Sequence, residues 1–255
     1  MRLFHVPSTN AADMNINHCR ISSFQSLGTV DGPGVRAVVF MQGCPLRCSC
    51  CHNPETWDIN GGSLINSEEL FHKILRCKSY FGSKGGVTFS GGEPLLQSEF
   101  LASFLPALKE EDIHVAIDTS GCILNDKAKE VIALSDLILL DYKYTDPKAY
   151  KEYTGMDLSK ADEFLSYLNS VNKPTWLRQV IIPTINDSKE SVSTLYSLKE
   201  KYACIEKIEL LPFRKLCIEK YHALNIDFPF KDIREATKDD IDSLKKIASF
   251  YGCAP

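Results

Sequence analysis

Short apolar runs alternate with amphipathic helical patterns along most of the chain. The apolar runs that predict strands lie at 35–40, 87–89, 114–117, 137–140, 176–182 and 205–211. Apolar residues at helical spacing predict helices that begin at Ser67 and Ser98, and further helices at about 126–134, 147–171, 188–201 and 238–250. Six strand-then-helix units in series predict an α/β fold with a parallel sheet and right-handed crossovers.

Polar residues come at the same end of consecutive predicted strands. In chain order they are a loop with Cys44, Cys48 and Cys51, then Gly91, Gly92 and Glu93, then Asp118 and Thr119, then Asp141 and Lys143, then Arg178 within the fifth strand, and finally Arg214. In β/α barrels the chemistry lies on the loops that follow the carboxyl ends of the strands. These groups would converge on one mouth, which favours a partial (β/α)6 barrel with a single active site over a doubly wound sheet.

Length, charge and cysteine usage narrow the class of protein. The chain has 255 residues and a formal net charge of −4 without a basic block, which argues against a nucleic-acid partner. No apolar run approaches the roughly 20 residues that span a bilayer, and the start lacks the apolar stretch of a signal peptide. The ten cysteines therefore indicate thiols and metal ligands in the cytoplasm. We expect an irregular extension over residues 1–17 and one domain over 18–255.

The strongest chemical signal is the C-x3-C-x2-C spacing of Cys44, Cys48 and Cys51. Iron–sulfur clusters are normally held by four thiolates, so three thiolates leave one iron open for chemistry. A structural zinc is an alternative, but it needs four ligands and the chain has no second C-x2-C pair. Unrelated thiols are a third interpretation. Cys50 competes with Cys51 for the last ligand position, because adjacent cysteines do not both bind comfortably.

The cysteine spacing and the glycine–glycine–glutamate run after the second strand resemble the radical S-adenosylmethionine (SAM) enzymes. The resemblance implies that the free iron of a [4Fe–4S] cluster chelates SAM and that this run holds the SAM amino group. It also implies that Asp118 and Asp141 lie near the SAM carboxylate and bind a monovalent cation together with Thr119. Lys143 would face the same pocket and balance carboxylate charge. Arg178 lies in an otherwise apolar strand, where a charge needs a partner such as the SAM carboxylate or a neighbouring aspartate.

Further motifs narrow the resemblance to the pyruvate formate-lyase activating enzymes, over about residues 20–252. These motifs are the segment 28–36, Gln42-Gly43-Cys44, Cys51-His52-Asn53, Thr56-Trp57, Ser90-Gly91-Gly92-Glu93, Asp118-Thr119 and the run 205–212. The resemblance implies an oxidoreductase whose reduced cluster cleaves SAM to a 5′-deoxyadenosyl radical. That radical takes hydrogen from one glycine of a glycyl radical enzyme, formate acetyltransferase, under anaerobic conditions. Asp31 would lie where the peptide of this partner enters.

Two positions depart from the family pattern. The residue before the last cluster cysteine is usually aromatic and is Cys50 here, and a family histidine after the Leu-Pro-aromatic segment is replaced by Arg214. We keep Arg214 as a candidate SAM contact. The chain also lacks the additional ferredoxin-like cysteine repeats of many other activases, which favours pyruvate formate-lyase as the partner.

Other functions stay open at this point. They are activation of a different glycyl radical enzyme, radical SAM chemistry on a small molecule, and a zinc-stabilised interaction domain without enzyme activity. If the chain activates formate acetyltransferase, we also expect an electron donor such as flavodoxin or ferredoxin, and a monomeric protein.

Overall fold

The computed structural model describes residues 17–247, and one eight-stranded sheet organises this part of the chain. The strands are β1 (His18–Gly28), β2 (Arg36–Met41), β3 (Ser63–Asn66), β4 (Gly86–Gly91), β5 (His114–Thr119), β6 (Leu137–Asp141), β7 (Thr175–Ile181) and β8 (Ile205–Pro212). Their order in the sheet is β3-β1-β2-β4-β5-β6-β7-β8. The six strands from β2 to β8 in this order run parallel, which confirms the predicted α/β sheet of the partial (β/α)6 type.

Eight α-helices belong to the described residues. They are α1 (Ser67–Leu75), α2 (Ser98–Glu110), α3 (Asp126–Leu134), α4 (Pro147–Thr154), α5 (Leu158–Ser170), α6 (Lys189–Lys201), α7 (Ile218–Ala223) and α8 (Lys238–Lys245). The helical segments expected at about 147–171 are the two helices α4 and α5, which are separate because Gly155 ends α4 in the left-handed conformation with φ of 80°. The short helix α7 carries no clear helical pattern and was not expected.

The parallel strands form the centre of the core. Val87 and Phe89 of β4, Ile117 of β5 and Leu140 of β6 are completely buried. Strands that are covered on both faces read as continuous apolar runs, which is why the sequence pattern located them. Their carboxyl ends carry the polar residues singled out above.

Two antiparallel strands, β1 and β3, were missed. They pair with each other, and β1 also pairs with β2 at the edge of the parallel series. In β1, all six residues before Gly28 are exposed or half-buried, and in β3 Ile65 is the one buried residue. Neither segment therefore has the apolar run by which the parallel strands were found.

Two predicted segments, at the two ends of the chain, extend beyond residues 17–247. The extension expected over 1–17 lies outside the described residues apart from Asn17, and the end of the last predicted helix beyond residue 247 lies outside them too. The division into an extension and one domain stays a prediction. No helix within residues 17–247 is long and apolar enough to cross a membrane.

Candidate active site

The loop that carries the three cysteines leaves the carboxyl end of β2 and is joined to the loop after β4. The amide of Glu93 donates a hydrogen bond to the carbonyl of Gly43 at 2.8 Å, and the amide of Gly92 donates to the carbonyl of Met41 at 2.9 Å. Because β2 and β4 are adjacent and parallel, their carboxyl ends lie side by side. The structure thus brings together the predicted cluster ligands and the glycine–glycine–glutamate run.

Two glycines permit this close approach. Gly91 has a φ of +101°, and a Cβ at this position would lie 2.6 Å from the amide nitrogen of Met41. A Cβ at Gly92 would collide with the carbonyl oxygen of Gly43. The sequence suggested that these glycines admit a ligand, whereas the contact that the structure shows is between the backbones of the two loops.

The cysteine loop is held on one side by the end of α4. The amide of Ser49 donates to the carbonyl of Tyr153 at 2.8 Å, and the amide of Arg47 donates to that of Thr154 at 3.3 Å. The last carbonyls of an α-helix have no partner within the helix, so they are free to accept these bonds. The helix end therefore fixes the backbone between Cys44 and Cys51.

Helix α7 holds the other side of the loop. The ammonium group of Lys220 donates to the side chains of Asn53 at 2.8 Å and of Glu55. The hydroxyl of Tyr221 donates to the carbonyl of Cys51 at 3.2 Å, and its ring packs edge-on against Trp57 with centroids 5.9 Å apart. Sequence reasoning missed Lys220 and Tyr221, because no local pattern links residues that are about 170 positions apart in the chain.

The thiols of the loop differ in exposure. Cys44, Cys48 and Cys51 are partly exposed, whereas Cys50 is buried in the apolar core with its thiol against the hydroxyl of Tyr144. Three partly exposed thiols can face a bound group, and a thiol that packs into the core is less able to do so. This difference supports Cys51 over Cys50 as the third ligand.

Burial disfavours the charged form of these thiols. It raises the pKa of Cys44 to about 11, with a smaller opposing effect from the Leu46 amide, and it also raises the pKa of Cys51. Thiolates are the ligands of iron, so metal binding at this loop must release protons.

Glu93 is completely buried, and both of its oxygens are engaged. Oε1 accepts a hydrogen bond from the hydroxyl of Thr119 at 2.6 Å, and Oε2 accepts from the hydroxyl and the amide of Ser120 at 2.6 and 3.0 Å. The thiol of Cys122 lies 3.7 Å from the same Oε2. The structure thus joins two predicted residues, Glu93 and Thr119, across the ends of β4 and β5.

Arg178 lies at the centre of a ring of carboxylates. It is 6% exposed, its Nη1 is 3.4 Å from Asp118 and its Nε is 3.6 Å from Glu209. Asp118 also accepts a hydrogen bond from Ser90 at 2.7 Å, while its Oδ1 is buried without a partner. Burial raises the pKa of Asp118 to about 7, although the charge of Arg178 opposes this shift.

Asp141 and Lys143 form a second, half-buried pair in the same region, with Nζ 2.6 Å from Oδ2. Burial alone would raise the pKa of Asp141, but the charges of Lys143 and Arg178 outweigh it and hold that pKa below its usual value. The charges of Asp141, Cys48 and Cys50 outweigh the effect of burial on Lys143 and hold its pKa well above its usual value. Lys143 therefore lies between the cysteine loop and the carboxylates.

Asp31 approaches this region from the segment between β1 and β2. Its pKa is raised by burial, against the opposing charges of Arg178 and Arg36. The neighbouring carbonyl of Val30 accepts a hydrogen bond from Nη2 of Arg178 at 3.4 Å. Asp31 thus lies near Arg178, which also contacts Asp118.

The side chain of Arg214 is directed elsewhere. Its guanidinium donates to the carbonyl of Ala236 at 2.6 Å, lies 3.7 Å from Glu235 and is 41% exposed. The backbone of Arg214 instead interacts with the imidazole of His52, next to Cys51. A role for the Arg214 guanidinium in SAM binding stays a prediction.

The donor set fits an iron–sulfur cluster. Cys44, Cys48 and Cys51 lie close enough for their charges to interact, on one loop that is fixed from two sides. Within residues 17–247, no three His, Cys, Asp or Glu side chains converge closely enough to bind a single metal ion. Ligands of a [4Fe–4S] cluster each bind a different iron and lie farther apart than those of one zinc ion.

Comparisons with known proteins agree with this geometry. Residues 30–161 match the family model described as a 4Fe-4S single cluster domain. The pyruvate formate-lyase-activating enzyme of Clostridium pasteurianum is 47% identical over 228 residues, which cover 89% of this chain and 95% of that protein. The pyruvate formate-lyase 1-activating enzyme of Escherichia coli strain K12 is 36% identical over 236 residues, covering 91% and 96%.

A solved structure shows a similar fold. Streptococcus suis SuiB bound to the precursor peptide SuiA matches with a TM-score of 0.66 and 17% identity, over 84% of this chain and 45% of that one. At this identity the match concerns the fold alone. The high identity and nearly complete coverage of the two sequence relatives go further, and we conclude that the chain belongs to the pyruvate formate-lyase-activating enzymes, a radical SAM family that carries a [4Fe–4S] cluster.

Proposed function

We propose that this chain activates pyruvate formate-lyase, also called formate acetyltransferase, in the cytoplasm of an anaerobic cell by placing a radical on one of its glycines. The observation that carries the proposal is the backbone junction between the cysteine loop and the glycine–glycine–glutamate run, through Gly43 and Glu93 at 2.8 Å. This junction fixes the loop of Cys44, Cys48 and Cys51 beside a set of acidic and basic side chains. The family to which the chain belongs supports the same activity.

Cys44, Cys48 and Cys51 would hold the cluster, and SAM would occupy the adjacent pocket. When bound, the reduced cluster would supply the single electron for reductive cleavage of SAM, and bound SAM would supply the chemistry that takes a hydrogen atom from the glycine Cα. The protein contributes the rigid loop, the exclusion of water and the orientation of the reactants. The contacts of this loop with α4 and α7 serve the first of these tasks.

The buried charges would bind the polar end of SAM. Glu93 is placed to accept the amino group, and Lys143 and Arg178 supply positive charge for the carboxylate. Oδ1 of Asp118 is buried from solvent and has no hydrogen-bond partner among the described residues, which suits it to a cation. We assign Asp118 and Asp141, together with Thr119, to a monovalent cation beside SAM.

The partner would present its glycine on an extended segment that enters beside Asp31. The Asp31 carboxylate forms no hydrogen bond or salt bridge with the other described residues, so it can accept backbone N–H groups of that segment. Because Asp31 is close to Arg178, a segment that enters there would lie next to the proposed SAM pocket.

Electrons would reach the cluster from the solvent side of the cysteine loop. Pro45 and Arg47 are exposed there, and the guanidinium of Arg47 lies over the ring of Trp57 at 5.2 Å. A flavodoxin or a ferredoxin is the donor that we expect, and a monomer is the state that we expect.

The test is anaerobic reconstitution of the full chain with iron and sulfide, followed by dithionite, SAM and pyruvate formate-lyase. We expect about four irons per chain and a glycyl-radical doublet in the electron paramagnetic resonance (EPR) spectrum. Cleavage of SAM to 5′-deoxyadenosine without a doublet would assign the radical to another glycyl radical enzyme or a small substrate. Bound zinc in place of iron, with no SAM cleavage, would contradict the proposal and favour an interaction domain.

A further inference from the structure

The segment between β1 and β2, residues 29–35, is pinned to the interior of the sheet. We call it the entry loop. Nη2 of Arg178 donates to the carbonyl of Val30, and the hydroxyl of Thr88 donates to the carbonyl of Asp31 at 2.6 Å. Gly34 packs closely on the loop that precedes β4, and a Cβ at this position would lie 2.5 Å from the amide nitrogen of Gly85. Three independent contacts therefore fix the backbone on both sides of Asp31.

Thr88 is the inner anchor of this loop. It lies in the middle of β4 and is completely buried. Its hydroxyl accepts a hydrogen bond from Nε of Arg36 at 2.6 Å and donates its own proton to the carbonyl of Asp31. One hydroxyl thus connects a buried guanidinium to the backbone of the loop, and a methyl group in its place could do neither.

Arg36 is a buried charge that forms no salt bridge within residues 17–247. It is completely buried, and burial lowers its pKa to about 10 although Asp136 and Asp31 oppose this effect. Its remaining donors bond to the carbonyl of Pro33 at 3.0 Å, to that of Val87 at 2.6 Å and to His114 at 3.2 Å. A buried charge is tolerated when its hydrogen bonds are satisfied, and here the loop itself supplies part of them.

We propose that Thr88 and Arg36 are positioning residues for the glycine-bearing segment of the partner. They hold the backbone of Asp31 so that its half-buried carboxylate stays directed to the incoming peptide instead of turning away to solvent. This inference rests on the proposed function, in which that peptide enters beside Asp31. Neither residue touches the peptide or SAM, so their effect is transmitted through the entry loop.

Replacement of the hydroxyl tests this arrangement without changing the shape of the core. Thr88→Val removes both hydrogen bonds at nearly constant volume, and Thr88→Ser retains the hydroxyl. Thr175→Val is the matched control, because Thr175 is equally buried in a parallel strand and its hydroxyl bonds to the nearby carbonyl of Lys173. Arg36→Lys is a secondary variant, since it retains the charge but not the fork of donors.

The experiment measures glycyl-radical formation by EPR against the concentration of a synthetic peptide that carries the target glycine of pyruvate formate-lyase. For Thr88→Val we expect the KM for the peptide to rise about tenfold, as the loss of one to two buried hydrogen bonds implies. The KM for SAM and the cluster absorbance should remain those of the wild type. Thr88→Ser should restore most of the peptide KM, and Thr175→Val should not change it.

Hydrogen–deuterium exchange provides a second readout that does not depend on turnover. We expect faster exchange of the amides at 29–35 in Thr88→Val than in Thr88→Ser. An unchanged peptide KM in Thr88→Val, or an equal rise in Thr175→Val, would overturn the inference while leaving the proposed function intact. Failure of the wild type to form a glycyl radical would overturn the proposed function, and the inference with it.

Discussion

Nη1 of Arg178 lies 3.4 Å from Oδ2 of Asp118, and the pair is almost completely buried. Arg178 also donates to the carbonyl of Val30, so one side chain contacts both the proposed SAM pocket and the entry loop. A planar guanidinium holds its five donors in a fixed forked arrangement, and an ammonium group with three donors at one point cannot reproduce that geometry.

For Arg178→Lys we therefore expect SAM cleavage without partner to fall by about 100-fold, since small errors in positioning have effects of this size. The assay is 5′-deoxyadenosine release after reduction with dithionite. Arg234→Lys is the control, because Arg234 pairs with Asp240 on the surface. Equal activity of the Arg178 variant and this control would show that SAM cleavage does not need the arrangement of donors on the Arg178 guanidinium.

The choice between Cys50 and Cys51 can be tested directly. Cys44→Ala, Cys48→Ala and Cys51→Ala should each abolish assembly of the cluster, because each removes a ligand. Cys50→Ala should retain it, since Cys50 packs in the core. Iron content and visible absorbance after anaerobic reconstitution are the measurements. A Cys51 variant with four irons, next to a Cys50 variant with none, would reverse our assignment.

Gly92→Ala should strain the junction between the cysteine loop and the run after β4. The added methyl group would collide with the carbonyl oxygen of Gly43. Its other near neighbours, the carbonyl carbon of Gly43 and the carbonyl oxygen of Met41, are also backbone atoms, which cannot move aside easily. We expect a loss of about 1–3 kcal/mol in the free energy of unfolding, measured with urea. Gly82→Asn is a suitable comparison, because nothing lies within 4 Å of its Cβ and Asn accepts a positive φ. Equal stability of the two variants would exclude the clash.

His114 should make the stability of the protein depend on pH. Burial and the charge of Arg36 hold its pKa below the ordinary value of 6.5. As the pH falls below that value, the unfolded chain takes up the proton first, so the free energy of unfolding decreases. His114→Gln should weaken this decrease between about pH 7 and pH 5, the range in which an ordinary histidine titrates. The exposed His72 provides the control substitution, His72→Gln, and an identical pH profile for both variants would refute the assignment.

The sequence predicted the parts of the molecule that have a local signature. The strands β2, β4, β5 and β6 were found because buried apolar side chains lie on both of their faces. The strand pattern also predicted that Glu93, Asp118 and Arg178 lie in one region, and the structure has them there. The strand β1 escaped detection because polar residues such as Ser23 and Gln25 occupy its exposed positions. The family resemblance contributed the chemistry, which spacing alone left open between iron and zinc.

Other features had no local signal. The bonds from Lys220 and Tyr221 to the cysteine loop depend on how distant segments fold together, and a lysine or a tyrosine on a short helix is not distinctive. The direction of the Arg214 side chain was likewise set by Ala236 and Glu235, which follow it by about 20 residues.

The contacts of the cysteine loop with α4 and α7 have a consequence for the synthesis of the protein. The loop ends near residue 56, but its partners are Tyr153, Thr154, Lys220 and Tyr221. A growing chain on the ribosome therefore possesses all three cysteines long before the segments that shape the loop around them have emerged. We expect iron and sulfur to be inserted only after the segment with Lys220 and Tyr221 has emerged. A C-terminal truncation before Lys220 should leave the cysteines without a stable cluster.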